Sequence, residues 1–427
     1  MTEPRTMFSY YEESGEPLLT DSSLRICGEF RLEKTSTTIA NTLRRCILSE
    51  TKSVSFRADL TNPADPGIVI TANTSVIFNE MLAHRITLLP LGIVRVDEFD
   101  PSTIRCVLSV KNEAKGLAPT DILHVTASNF RVEEKQADGS YVDLGPAAAE
   151  AMFPKNPITK ESSLLVSLKP QWNPEQPPER VELTAYPVLG TGREFMGFCP
   201  VSQCSFENTR DTDPVRQEQF FREWLLSFKK IADVTSVTPE VLARHRQEWN
   251  IMAVQRCFLI DEKGEPNSFT FTVESVGVRP VRDIVAEGIR AVITLVGPYA
   301  DPSKTAAQLG ITLQPPDSRM TGVDMVFEGQ EHTLGNLLQT LITELYIDSG
   351  AADSPIVYAG YKIKHPLHRS MTLRLGFREG LAGDTNAIAM SIVMAAAEKA
   401  RTIFEELERG WAAVGRKGGV GLEALDG

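Results

Sequence analysis

Cysteine is scarce in this chain: six in 427 residues, at Cys27, Cys46, Cys106, Cys199, Cys204 and Cys257. No CxxC pair occurs, which excludes the usual spacing of structural zinc sites and a dense disulfide framework. Free buried thiols in a reducing compartment are the expectation. Cys199 and Cys204 make at most half a metal site, since no second Cys or His pair stands at supporting spacing. Long apolar runs are missing as well, so no membrane span is expected. The opening MTEPRTMFSYYEESGEP is acidic and polar, without the basic start and apolar stretch of a secretory signal. Positive charge is in deficit: the formal net charge is −12. A protein that grips duplex DNA needs a Lys or Arg for each phosphate it neutralises, so protein partners fit better than direct nucleic-acid binding. The P-loop, HExxH and GxSxG patterns are absent. The acidic run Asp97-Glu98-Phe99-Asp100 lies in a loop and reads as solvated. No catalytic residue, metal or cofactor is expected.

What is present describes a folded protein. The chain is 42% hydrophobic and 23% charged, a globular composition, and its length suits about two to four domains. Residues 1–23 show little apolar periodicity and read as a flexible N-terminus. Ile26, Phe30 and Leu32 alternate as in a strand, and STTIANTLRRCILSE follows as a helix capped by Thr37 or Thr38. Residues 59–186 are strand-rich and broken by turn sequences such as NPADPG, ADGS and WNPEQPPE, which reads as a domain inserted into another. Residues 210–256 read as a helical insertion, with Thr238-Pro239 starting one helix. FTFTV (269–273) is a strand before the helix VRDIVAEGIRAVITLV. Residues 297–322, rich in Pro, Gly and polar side chains, read as a linker. Beyond it come a strand at 323–327, a helix at 333–347, two more strands, and a long helix from Asp384-Thr385-Asn386 to about Trp411. Residues 412–427 read as a flexible tail.

Two of these helices resemble each other. Thr38-Ile39-Ala40-Asn41-Thr42-Leu43 aligns with Thr333-Leu334-Gly335-Asn336-Leu337-Leu338: a Thr, then an Asn three residues on, then an apolar stripe. Such a match also arises by chance. The order of elements supports it, because each unit ends in a strand and a long helix. Ile284, Val285 and Ile289 line one side of the first long helix. Ile388, Ile392, Ala395, Ala396, Lys399 and Ile403 read as one face of the second. The fold class is therefore α+β, with two related units forming an intramolecular pseudo-dimer, the covalent analogue of a symmetric pair. Joining the halves fixes their stoichiometry and raises their effective concentration to about the millimolar range.

At this point a family resemblance emerges. ANTLRRCILSE (40–50), NTSVIFNEMLAHRITLLPLGIV (73–94) and FTFTVESVGVRPVRDIVAEGIRAV resemble, in order, segments of the D-type alpha-like subunit of archaeal and eukaryotic RNA polymerases. FEGQEHTLGNLLQTLI (327–342), YAGYKIKHPL (358–367) and the final helix resemble its smaller L-type partner. The resemblance implies a D-type dimerisation domain over 24–58 and 187–296, an insert domain over 59–186, and an L-type dimerisation domain over 323–411. It implies a non-catalytic platform on which two catalytic large subunits and small zinc-binding subunits assemble, this chain being one copy within a hetero-oligomer. Fusion of the two partners is similar to the arrangement in polymerases of large cytoplasmic DNA viruses. That origin implies host cytoplasm and virion; otherwise the nucleus is expected. Some D-type subunits carry a Cys-rich metal-binding insert, but here a lone Cys106 stands there, so no metal follows.

The resemblance also assigns residues. Asn41, Arg44, Arg45 and Arg85 are expected at the large-subunit interface, since guanidinium forks suit carboxylates and carbonyls. From the residues alone, Arg44 and Arg45 are as well read as solvated helix charges. Leu88, Leu89 and Leu91 read as insert core. Glu331, His332, Thr333, Leu334 and Asn336 form the L-type motif at a helix start. His332, His365 and His368 read as capping or packing residues rather than zinc ligands. The competing readings are a freestanding enzyme and a freestanding interaction scaffold with the same fold.

Overall fold

The computed structural model describes residues 7–59, 67–115, 118, 121–173, 175–233, 237–316, 320–350, 353–365, 367–381 and 383–414. The expected NPADPG turn as far as residue 66, linker residues 317–319 and the tail from 415 lie outside the described residues.

In chain order, the first part comprises β1 (Phe8–Pro17), β2 (Arg25–Glu33), α1 (Thr37–Ser49) and β3 (Lys52–Phe56). The insert follows with β4 (Ile68–Asn73), α2 (Asn79–Thr87), β5 (Ile104–Lys111), β6 (Leu123–Thr126), β7 (Phe130–Lys135), β8 (Tyr141–Asp143), α3 (Pro146–Met152), β9 (Leu164–Leu168) and β10 (Arg180–Ala185). The chain returns through β11 (Pro187–Thr191), β12 (Val201–Asn208), α4 (Pro214–Trp224), α5 (Pro239–Met252), β13 (Ser268–Ser275) and α6 (Val281–Ala300). The last part is β14 (Ile311–Gln314), β15 (Gly322–Glu328), α7 (His332–Ile342), β16 (Ile356–Lys362), β17 (Ser370–Phe377) and α8 (Thr385–Ala413).

The repeat read in the sequence is a repeat of whole topology. One sheet has the order β1-β2-β13-β12 and another β14-β15-β17-β16. In each, the second strand leads through a left-handed turn residue into a short helix: Lys34 (φ 55°) before α1, Gly329 (φ 74°) before α7. In each, the third strand leads to a long helix. The α1 cap is Ser36, whose Oγ accepts from the Ile39 N–H at 3.4 Å, so the cap lies one residue before the threonines expected.

Both units share one apolar core. Leu43 and Ile47 of α1 and Ile284, Val285, Ile289 and Val292 of α6 join Leu334, Leu337 and Leu341 of α7 and Ile392, Ala396 and Ala400 of α8. The helices α6 and α8 lie along each other, antiparallel: Trp411 Nε1 donates to Arg282 O at 3.0 Å, at the start of one helix and the end of the other. Fully burying such aliphatic side chains contributes about 1.5–3 kcal/mol each. Ile388 is half-buried against the same core. The face of α8 differs in detail from the sequence reading. Lys399 is exposed, and the buried stripe runs through Ala389, Val393, Ala397, Phe404 and Leu407.

Both the segment read as a flexible N-terminus and the one read as a linker contain strands. From residue 7 to 23 the chain carries β1, which pairs antiparallel with β2 and buries Phe8 and Tyr11. Rings of Phe8, Tyr11 and Phe30 surround Trp411 at centroid separations of 5.0, 5.4 and 4.9 Å. The linker is shorter than its composition suggests. Helix α6 continues past Pro298 to Ala300, and β14 pairs with β15. Tyr299, at the end of α6, packs on Phe327 of the second sheet, with ring centroids 5.6 Å apart.

The insert has a core of its own, with stacked Phe56, Phe130 and Phe153 under a five-stranded sheet of order β4-β10-β5-β7-β8. The α4–α5 insertion has a third, small core of Phe221, Trp224, Leu225, Trp249 and Ala253. Among the described residues no helix is long and apolar enough to cross a membrane.

Candidate functional site

The two short helices that carry the sequence motifs cross at the seam between the units. Thr38 Oγ1 lies 3.1 Å from Thr340 Oγ1, and Asn336 Nδ2 donates to Thr38 Oγ1 at 3.5 Å. At the other end of the crossing, Arg45 Nε donates to Thr333 Oγ1 at 2.8 Å. The alignment that matches Thr38 to Thr333 also matches Arg45 to Thr340. Each helix therefore contacts the other through equivalent positions, as a two-fold axis requires.

Arg45, expected at the large-subunit interface, is half-buried and bonded to the opposite unit. Arg44 instead folds back along α1, donating from Nε and Nη2 to Asn41 Oδ1 at 3.1 and 3.0 Å. Asn41, Arg45, His332, Thr333, Asn336 and Tyr361 line a polar cavity of about 270 Å³ at the seam. Residues from both motifs thus meet in one place. His332 Nδ1 is 3.2 Å from Tyr361 Oη. Glu331 occupies the cap position of α7 without a side-chain cap bond, its Oε1 4.0 Å from Arg369. Leu334 is core. Among the described residues no group of three or more His, Cys, Asp or Glu is placed to hold a metal ion.

A second surface lies on the insert. The outward side of α2 carries Phe78, Met81 and Leu88, exposed by 77%, 60% and 58%. With Arg85 these residues follow helical spacing, so they form one stripe. Arg85 is half-buried and donates from Nη2 to Leu164 O at 2.9 Å. Leu89 and Leu91 are buried, as expected of insert core, whereas Leu88 is not. The leucine run alone gave no signal of that split. The helix period, extended back to Phe78, does.

The thiols are quiet. Burial pushes Cys46, Cys106 and Cys204 up to about 12. A thiol held protonated is a poor nucleophile and a poor metal ligand.

Two dimerisation units of one topology, sharing a core and exchanging equivalent contacts, define a fused pair of alpha-like subunits. Comparison with known proteins agrees. The family model described as RNA polymerase Rpb3/Rpb11 dimerisation domain matches residues 29–295, and a second model of the same description matches residues 323–410. The chain belongs to this family.

Several of its relatives are polymerase subunits. It is 25% identical over 295 residues to the DNA-directed RNA polymerases I and III subunit RPAC1 of Mus musculus, covering 61% of this chain and 77% of the relative. It is 25% identical over 280 residues to the DNA-directed RNA polymerase II subunit RPB3 of Schizosaccharomyces pombe, covering 61% and 78%. Against the DNA-directed RNA polymerase subunit Rpo3 of Thermococcus kodakarensis the identity is 24% over 267 residues, covering 59% and 83%. By this kinship the chain is a structural, non-catalytic RNA polymerase subunit.

Proposed function

We propose that this chain is the assembly platform of a DNA-directed RNA polymerase, docking the two catalytic large subunits and, beside them, small zinc-binding subunits. The observation that carries the reading is the α2 stripe. Phe78, Met81 and Leu88 stand in water on a rigid insert, with the Arg85 guanidinium among them. Large apolar side chains clustered on an outward face mark a protein-binding site, and an arginine beside them adds directional bonding. Asn41, which lines the seam cavity, and Arg44, bonded to it, supply a second contact. Arg45 supports that contact from behind, by holding α7 against α1.

Fusion into one chain is the ground for assigning the polymerase to a large DNA virus, working in host cytoplasm and carried in the virion. The relatives named above are cellular, and an origin in a nucleated cell places the chain in the nucleus instead. Fractionation of cells making the native protein decides between these.

Affinity purification of the tagged chain tests the platform. The expected result is recovery of two very large subunits with small zinc-binding ones. A Phe78→Asp/Met81→Asp variant is expected to lose them while keeping its melting temperature. Normal recovery by that variant overturns the interface. A native chain recovered alone favours the freestanding scaffold.

A further inference from the structure

The pseudo-two-fold gives the seam two equivalent ends, and they differ in what fills them. At one end, where α1 finishes and α7 begins, only the small seam cavity of about 270 Å³ remains, and a side chain of the chain itself bridges the units beside it. Arg193 reaches across: its backbone N–H donates to Ser49 O at 3.0 Å, its Nε lies 2.9 Å from Glu50 Oε1, and its Nη1 donates to Gly329 O at 3.4 Å. At the other end, where α7 finishes and α1 begins, a cleft of about 1120 Å³ stays open. It is bounded by the α1 start, by the end of α7 and by the hairpin before β13. Lys34 stands there at the position of Gly329, and Glu344 at the position of Ser49.

Charge separates the two ends further. The open cleft is lined by Asp261, Glu262, Glu265, Glu344 and Asp348 against Lys34 and Lys263. Lys263 is already engaged, its Nζ 3.1 Å from Asp348 Oδ2 across the seam. The corresponding hairpin of the second unit, between β16 and β17, carries Lys364, His365, His368 and Arg369 instead. The two hairpins are therefore opposite in charge, and the acidic one borders a cleft that spans both units with room for a peptide strand.

We infer that the acidic cleft seats a basic, extended segment of another polymerase subunit, its Arg or Lys side chain taking the role that Arg193 plays at the opposite end. This rests on the platform reading. Complementary charge sets register and excludes wrong partners, and two ends whose hairpins are opposite in charge admit a partner in one orientation only.

The test is a photo-crosslinking amino acid at Thr343, on the cleft wall, in the full chain within the native complex, with the crosslinked peptide mapped by mass spectrometry. The expected product joins Thr343 to a partner segment bearing Arg or Lys within a few residues of the crosslink. Glu262→Lys/Glu344→Lys, with an unchanged melting temperature, is expected to cut its yield roughly tenfold. No crosslink, a crosslink to an acidic or apolar segment, a crosslink to residues 415–427 of this chain, or a yield unmoved by the charge reversal each overturns the inference. A parallel photo-residue at Met81 separates the causes. Capture at Met81 without capture at Thr343 rejects the cleft alone; failure at both, with no large subunit recovered, rejects the platform as well.

Discussion

Arg45 Nε and Thr333 Oγ1 meet at 2.8 Å although 288 residues separate them in the chain. The pseudo-two-fold repeats the contact at Thr38 and Thr340, 3.1 Å apart. The same exchange recurs at the ends of the long helices, where Trp411 packs on the first sheet and Tyr299 on the second. The units are thus held by reciprocal contacts at several points on one shared core.

Arg45→Ala is expected to destabilise the chain by about 1–2 kcal/mol, the range for a partly buried bond from a charged donor. In a double-mutant cycle with Thr333→Ala, urea unfolding should give a coupling of about 1 kcal/mol. Additive single effects would show that the bond contributes nothing.

Gly288 on α6 faces Ile47 of α1, and a Cβ there would lie 2.5 Å from Ile47 Cγ1. Glycine usually weakens a helix by about 1 kcal/mol relative to alanine. Here the order should invert: Gly288→Ala is expected to cost about 1–3 kcal/mol by overpacking. A rise in melting temperature would refute the close approach.

Trp411 ties α8 to the first sheet through three rings and to the start of α6 through one hydrogen bond. Trp411→Ala is expected to cost about 3–5 kcal/mol. It should also loosen β1, so limited proteolysis should cut within residues 8–17 faster than in the parent chain. Unchanged cleavage there would mean that β1 is held without the tryptophan.

Cysteine labelling reads the burial pattern directly. Cys27 is half-buried and the other five thiols are buried. Burial raises Cys27 too, so at pH 8 less of it is thiolate than for a free cysteine, and labelling speeds up as pH rises. Iodoacetamide on the folded chain should modify Cys27 slowly and the rest only after denaturation. Two or more fast sites would contradict this packing.

The parts of the fold that were legible in sequence are those where a local rule and the tertiary contact coincide. The starts of α1 and α7 carry an apolar stripe that survives folding, whereas the cap does not transfer: Ser36 caps α1, and Glu331 at the start of α7 makes no side-chain cap bond. Ile284, Val285, Ile289, Ile392 and Ala396 were readable from helical period alone. Strand β1 was not, because its register against β2 slips between Phe8 and Tyr11 and again between Ser14 and Pro17. Such bulges destroy the two-residue alternation by which strands are recognised. Strand β14, four residues long, sits within a Pro- and Gly-rich stretch that conceals it. Lys399 was placed on the buried side because a long helix drifts against any fixed spacing. Arg45 could be recognised as an interface residue but not assigned its interface, since nothing local announces a threonine so far along the chain.

The short passage from Ala300 to Ile311 has an evolutionary corollary. Where the halves are separate gene products, either can be exchanged for a paralogue or drift against several counterparts. Here each half is inherited with one companion, so a substitution on either side of the seam is always judged against the same opposite surface.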